Sequence, residues 1–324
     1  MVGCVIVHNG SIIGEGFTST YGGAHAEVNA INAVANKDLL KEAVLYVTLE
    51  PCSHQGKTPP CADLIIKHNI PKVVIGIADP NEQVSGRGIE RLIAAGCDVI
   101  YPVLEKEVRE HHKRFLTMQE KKRPYIILKW AETLDGFMAP NKDKRSATAE
   151  PYWITNRHSR QKVHQWRCEE QAILVGAATV LADNPKLTAR LWKGHSPIRI
   201  LLDKNLEITP EHYVLDDTVQ TLIITETTPK VNTLSNTHFE VIDFTRNVAS
   251  QICSLLYANQ IQSVLLEGGA QTLRTFIEAD LWDEARVFTG ANYFYEGLLA
   301  PKISGDVQKT ITIGNDKLKI IYHD

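Results

Sequence analysis

Apolar positions along the first hundred residues fall into short runs separated by polar turns, which is the pattern of alternating strands and helices. Runs at 2–7 and 11–17 read as two strands, and His8-Asn9-Gly10 between them supplies the Asn-Gly pair of a tight hairpin. Ala26, Ala30 and Ala33 recur at helical spacing within a helix over 24–35, followed by a β-branched strand at 44–49. Helix at 62–68, strand at 72–78, helix at 88–95 and strand at 98–101 continue the alternation. The segment 105–122 is charged, helical in pattern and closed by Arg123-Pro124, so it reads as the linker between a domain at 1–122 and one at 123–324. Beyond it a second alternating pattern begins. It predicts strands at 125–131, 171–175, 198–203, 221–225 and 263–267, with helices at 159–167, 247–259 and 271–279. The polar stretch 140–150 reads as an exposed irregular loop. Both halves are therefore expected to be α/β.

Length agrees, since 324 residues suffice for two domains of ordinary size. Hydrophobic content of 44% with 23% charged residues excludes wholesale disorder. No apolar run approaches the ~18–20 residues of a membrane span, so no membrane association is expected. A net charge of −3 offers no global field for nucleic acid and leaves room for a local basic site that takes an anionic ligand. The first residues, Met1-Val2-Gly3-Cys4-Val5, lack the basic start of a signal peptide. Six cysteines in such a chain are expected to be reduced thiols in the cytoplasm.

The strongest chemical signal is His25-Ala26-Glu27, followed by Glu50-Pro51-Cys52 and then Cys61. One imidazole and two thiolates give Zn²⁺ three ligands and leave a fourth position open, the arrangement of a catalytic site. Any one of these residues alone would read as core packing; all of them in order favour the metal. Glu27 stands two residues past His25, too close to share a helix face with it. His25 is therefore expected at the mouth of its helix, with Glu27 free to carry protons. Cys52 and Cys61 are expected at or before helix starts, where backbone N–H groups favour thiolates. The order matches the zinc deaminase signature, except that eight residues rather than two separate the cysteines. His54, inside that spacer, reads as a surface residue. In the second half no G-x-G-x-x-G follows a strand, whereas Glu267-Gly268-Gly269-Ala270 falls between a predicted strand and helix, where backbone can approach a phosphate.

The runs Gly22-Gly23-Ala24-His25-Ala26-Glu27 and Thr48-Leu49-Glu50-Pro51-Cys52, continued by Gly56-Lys57-Thr58-Pro59-Pro60-Cys61, resemble one family in particular. It is the bifunctional deaminase–reductase of bacterial riboflavin biosynthesis. Asp79-Pro80-Asn81, Gly86-Arg87-Gly88, Leu134-Asp135-Gly136, Trp153-Ile154-Thr155, the run Thr179-Val180-Leu181-Ala182-Asp183-Asn184-Pro185, and Glu267-Gly268-Gly269 also match, so the likeness spans nearly the whole chain. It implies a cytidine-deaminase-like α/β/α sandwich followed by a dihydrofolate-reductase-like α/β domain. It implies two successive reactions on a pyrimidine ribosyl phosphate: zinc-dependent loss of an amino group, then NADPH reduction of the ribosyl group. By the same resemblance Lys57 and Asn81 bind the deaminase substrate. Ala131, Trp153, Thr179, Asp183 and the segment from Gly269 lie near NADPH, and Arg167, Leu187, Arg190 and Glu267 contact the reductase substrate. The proton donor of the reduction is left open among Asp183, Glu267 and water. A homo-oligomer is expected. The family has an opening helix and an Asn-Pro turn ahead of the strand that begins here at Val2, so a late start or a truncation is the expectation. The alternative reading is then a reductase alone.

Overall fold

The computed structural model describes residues 1–20, 22–54, 59–81, 85–145, 148–228 and 234–323. The chain divides into two compact units, Met1–Lys121 and Lys122–Asp324.

The first unit contains β1 (Gly3–His8), β2 (Ser11–Phe17), α1 (Ala26–Ala33), β3 (Val44–Leu49), α2 (Cys61–Lys67), β4 (Lys72–Ile77), α3 (Arg87–Ala94), β5 (Asp98–Ile100) and α4 (Glu105–Glu120). Its sheet runs β2-β1-β3-β4-β5. β1 is antiparallel to β2 and β3, and the rest of the sheet is parallel. Asn9 and Gly10, both at positive φ (47° and 75°), close the two-residue hairpin that the Asn-Gly pair predicted. Cys4, Ile6, Leu45, Val47, Val73 and Ile75 meet Ala30, Ile65 and Leu92 of the first three helices in one core. On the opposite face Val5, Tyr46, Thr48 and Val74 line a cleft of about 590 Å³ with Leu104 and Val108. Leu104 and Phe17 on its rim are largely exposed.

The second unit contains β6 (Tyr125–Glu132), β7 (Phe137–Pro140), α5 (Arg157–Glu169), β8 (Ala172–Gly176), α6 (Ala177–Asp183), β9 (Ile198–Leu202), β10 (Thr221–Thr225) and β11 (Thr237–Val241). It continues with α7 (Val248–Ala258), β12 (Ser263–Leu266), α8 (Ala270–Glu278), β13 (Glu284–Thr289), β14 (Gly297–Leu299), β15 (Asp306–Ile313) and β16 (Asp316–Tyr322). Nine strands form one sheet in the order β11-β10-β9-β8-β12-β6-β13-β16-β15, and β7 pairs separately with β14. The sheet is parallel from β11 to β13; β16 and β15 extend it antiparallel. Leu128, Leu174, Ile224 and Leu266 pack on α7 and α8. From the other face Ile173 and Val175 meet Val180 of α6, while Ile127 and Leu265 meet Val163 and Trp166 of α5. Helices on both faces explain why the central strands read as continuous apolar runs.

Two expectations need correction. Of the described residues in 140–150 several are exposed as expected, but Pro140 ends β7 and the Arg145 guanidinium pairs with Asp183 at 2.5 Å. Cys52 does not begin a helix. It follows β3 in irregular chain, and its sulfur reaches the start of α2 through space, accepting the Cys61 N–H at 3.3 Å.

Candidate active sites

In the first unit His25 is the N-cap of α1, with extended φ/ψ of −74° and 166°, so its side chain leaves the helix at the mouth. Cys61 is the first residue of α2, behind Pro60, whose ring suits the entry to a helix. The His25 Nδ1 lies 3.5 Å from the Cys52 sulfur and 3.3 Å from that of Cys61. All three donor atoms fall within 4.8 Å of one another, and this is the only such cluster among the described residues. Cys52 is held as the thiolate: hydrogen bonds from the Cys61 thiol, His25 and the Cys61 amide offset burial and bring it down to about 4. That same bond to Cys52, together with burial, pushes the Cys61 thiol up. The hydrogen bond with Cys52 also holds His25 above the ordinary imidazole range. One nitrogen and two sulfurs converging on a common point fit a zinc ion with an open fourth position.

Glu27, in the first turn of α1, is buried and offers no atom to that cluster. Burial lifts its carboxyl to about 7, where a side chain can both take and give a proton near neutrality. Asn81 lies on the loop after β4, its N–H donating to Asp79 Oδ1 at 2.9 Å. Burial raises Asp79, and the charges of Glu50, His54 and Cys52 act on it too, so this loop adjoins the metal cluster. His54 is exposed, as expected. Lys57 lies outside the described residues.

The second unit holds a pocket of about 660 Å³ over α5, α6 and the start of α8. Ala131, Trp153, Thr179, Asp183, Gly269, Arg167, Leu187, Arg190 and Glu267 all line it, so the fold brings together every residue expected in this half. Glu267 is the electrostatic centre: Arg167 donates Nε and Nη2 to its two oxygens at 2.7 and 2.8 Å, and Lys129 lies at 3.5 Å. Burial alone would raise Glu267, yet Arg167 and Lys129 bring it down to about 2. Arg167 also donates to the Thr188 carbonyl at 3.0 Å, so its fork is committed inside the protein. Arg190 instead stands at the exposed rim, its pKa lowered by partial burial and by Arg167. Asp183 is raised by burial against the pull of Arg145. Trp153 is 52% exposed with the Arg160 guanidinium 4.6 Å above its ring, whereas Leu187 is core.

Gly269 is the N-cap of α8, and a Cβ there would come within 2.9 Å of Thr179 Oγ1. Glycine lets the start of α8 approach α6 without displacing the Thr179 hydroxyl, leaving the α8 N-terminus open to the pocket. Lys129, Arg145, Arg160, Arg167, Lys186, Arg190 and Arg274 face only Asp183 and Glu267 among the lining acids. That excess of positive charge, beside a helix N-terminus, fits a cofactor carrying several phosphates. Sequence reading missed Lys129 and His164. Lys129 had a signal, a lone charge inside the apolar run Tyr125-Ile126-Ile127-Leu128 and Trp130. His164 had none; burial and the charges of Arg167 and Arg190 bring it down to about 4.

Together the folds and sites define a two-domain enzyme, a metal-dependent nucleobase deaminase joined to a reductase. Residues 1–77 match the cytidine and deoxycytidylate deaminase zinc-binding region, and residues 124–318 match the RibD C-terminal domain. The riboflavin biosynthesis protein RibD of Aquifex aeolicus is 39% identical over 300 residues, covering 92% of this chain and 82% of the relative. RibD of Bacillus amyloliquefaciens is 41% identical over 314 residues, with 94% and 82% covered. A crystal structure from Thermotoga maritima, described as a diaminohydroxyphosphoribosylaminopyrimidine deaminase/5-amino-6-(5-phosphoribosylamino)uracil reductase, superposes with a TM-score of 0.88 at 38% identity, covering 99% of this chain and 91% of that one. The chain belongs to the RibD family of riboflavin biosynthesis proteins. It is a bifunctional hydrolase and oxidoreductase, with zinc the cofactor of the deaminase domain and NADPH that of the reductase. A reductase acting alone is not favoured, because both domains match.

Proposed function

We propose that the first unit removes the 2-amino group of 2,5-diamino-6-(5-phosphoribosylamino)pyrimidin-4-one as ammonia. The second then reduces the ribosyl group of 5-amino-6-(5-phosphoribosylamino)uracil to ribityl. The observation that carries this reading is the convergence of His25, Cys52 and Cys61 beside a buried acid that ligates nothing. In this reading those three residues hold zinc, which when bound lowers the pKa of a coordinated water to near neutrality. Glu27 takes a proton at its carboxylate and returns it to the departing nitrogen, a role its raised pKa suits. Asn81 and Lys57 orient the pyrimidine and its ribosyl phosphate.

In the second unit NADPH supplies hydride when bound. Ala131, Trp153, Thr179, Asp183 and Gly269 flank it, and the α8 N-terminus faces its phosphates. Glu267 fixes the Arg167 fork and the Lys129 ammonium, Leu187 walls the sugar side, and Arg190 receives the substrate phosphate at the rim. We also read the protein as a cytoplasmic homo-oligomer. Its six cysteines are free thiols, as a reducing compartment keeps them, and exposed side chains such as Phe17 and Leu104 are surface that a second copy would cover.

The test supplies the diaminopyrimidinone ribosyl phosphate to zinc-loaded protein without NADPH and measures ammonia. Release that stops on chelation, followed by NADPH oxidation once the cofactor is added, is expected. Silence from folded, zinc-loaded protein would overturn the substrate assignment. Light scattering of the same sample reads the oligomeric state, and a monomer would remove that part.

A further inference from the structure

Glu50 directly follows β3 on the way to Cys52, and its side chain is buried with no ion-pair partner among the described residues. Four main-chain N–H groups take the place of a cation. Oε2 accepts from Asp79 and Gly86, each at 3.0 Å, and Oε1 accepts from Gly88 at 2.8 Å and Ile89 at 3.2 Å. Gly88 and Ile89 belong to the first turn of α3, so the carboxylate also caps that helix. The approach is close: a Cβ on Gly88 would lie 2.0 Å from the Pro51 carbonyl oxygen. The residues so gripped bracket Asn81. Asp79, tied to Glu50 through its own N–H, accepts the Asn81 N–H, and the Asn81 carbonyl accepts from Ser85, beside Gly86.

A buried carboxylate without a cation is costly unless its acceptor sites are filled, and four charge-assisted bonds fill them. Two of the four tie Asp79 and Gly86, on either side of Asn81, to the Glu50 carboxylate two residues before a metal ligand, and the other two anchor the first turn of α3 to it. We infer that Glu50 is a positioning residue of the deaminase: it fixes the Asn81 loop relative to Cys52, and so the pyrimidine relative to the metal, while touching neither. This rests on the reading of Asn81 as a substrate contact.

Glu50→Gln keeps the shape but turns an NH₂ group toward two of the N–H donors, whichever way the amide faces. Expected are wild-type zinc content, wild-type reductase kinetics, and a deaminase KM raised about tenfold or more with a smaller change in kcat. Asn81→Ala alone should raise KM as well, and should add less when Glu50→Gln is already present. A raised KM in Asn81→Ala with wild-type KM in Glu50→Gln would overturn the positioning role. Wild-type KM in Asn81→Ala would overturn the Asn81 reading instead. Loss of zinc from Glu50→Gln would overturn the inference, since the effect would then run through Cys52. If Glu50→Gln unfolds the first unit, Glu50→Asp decides: its shortened carboxylate reaches fewer of the four amides, so a raised KM supports the role and a wild-type KM refutes it.

Discussion

Replacing Glu267 by Gln gives a direct measure of what holds the reductase pocket together. The carboxylate accepts both prongs of Arg167 and neighbours Lys129, and its side chain is only 7% exposed. Its fall from an ordinary 4.5 to about 2 corresponds to ~3 kcal/mol in favour of the ionised form in the folded protein. Because the folded pKa is depressed, that stability is fully present above about pH 4.5 and is lost as pH falls toward 2. A neutral amide in its place would leave Arg167 and Lys129 buried without a counter-charge, a change that typically costs ~3–5 kcal/mol. All five tryptophans, at 130, 153, 166, 192 and 282, lie in the second unit, so tryptophan emission during urea unfolding reports that unit alone. The expected result is a Glu267→Gln variant ~3 kcal/mol less stable near neutrality, with the gap closing as wild type is acidified through the carboxylate range. A variant within ~0.5 kcal/mol of wild type at neutral pH, or a gap indifferent to acid, would refute the reasoning.

Glu27→Gln should keep its zinc by metal analysis and lose ammonia release by about 10²–10⁴-fold, with reductase turnover unchanged; full-rate deamination would remove Glu27 from its role. Arg190→Gln should raise the reductase KM for the phosphorylated substrate by about tenfold or more and leave a dephosphorylated analogue unaffected, read from NADPH consumption. His112, whose Nε2 meets Thr48 Oγ1 at 2.9 Å, is brought down to about 4 mainly by burial. Its neutral ring therefore stabilises the first unit above about pH 6.5, a contribution lost as pH falls toward 4. Hydrogen exchange across β3 and α4 should accelerate over that interval in wild type and change less in His112→Gln.

Local chemistry made the first unit legible. The Asn-Gly turn, the alanine spacing of α1 and the two-residue step from His25 to Glu27 each have one structural outcome, and each was observed. Cys52 escaped because its helix terminus is reached through space: the amide on its sulfur belongs to Cys61, nine residues on. In the second unit β6, β8, β9, β10 and β12 declared themselves as apolar runs, but β11, β13, β15 and β16 did not. β13 carries Glu284 and Arg286, which are buried because they pair with each other and with Tyr125 and Glu170 from elsewhere in the chain, and β16 alternates Asp316, Lys317, Leu318 and Lys319 near the end of the sheet. Charges inside strands look like loop until their partners are known. The Arg145–Asp183 pair hid for the same reason, joining residues 38 apart through a segment whose composition says only that it is polar.

The His25, Cys52 and Cys61 donors converge on one point, and that has a redox consequence. Two sulfurs within 4.8 Å of each other, one already a thiolate, are also the reactants of a disulfide. Metal occupancy and protection from oxidation thus become one variable. Zinc-loaded protein should resist mild peroxide, while in chelated protein peroxide should be reduced to water as Cys52 closes onto Cys61, with a loss of two hydrogens' mass. Such closure would silence the deaminase and spare the reductase, so an oxidised preparation would accumulate the diaminopyrimidine while still reducing any deaminated substrate it was given.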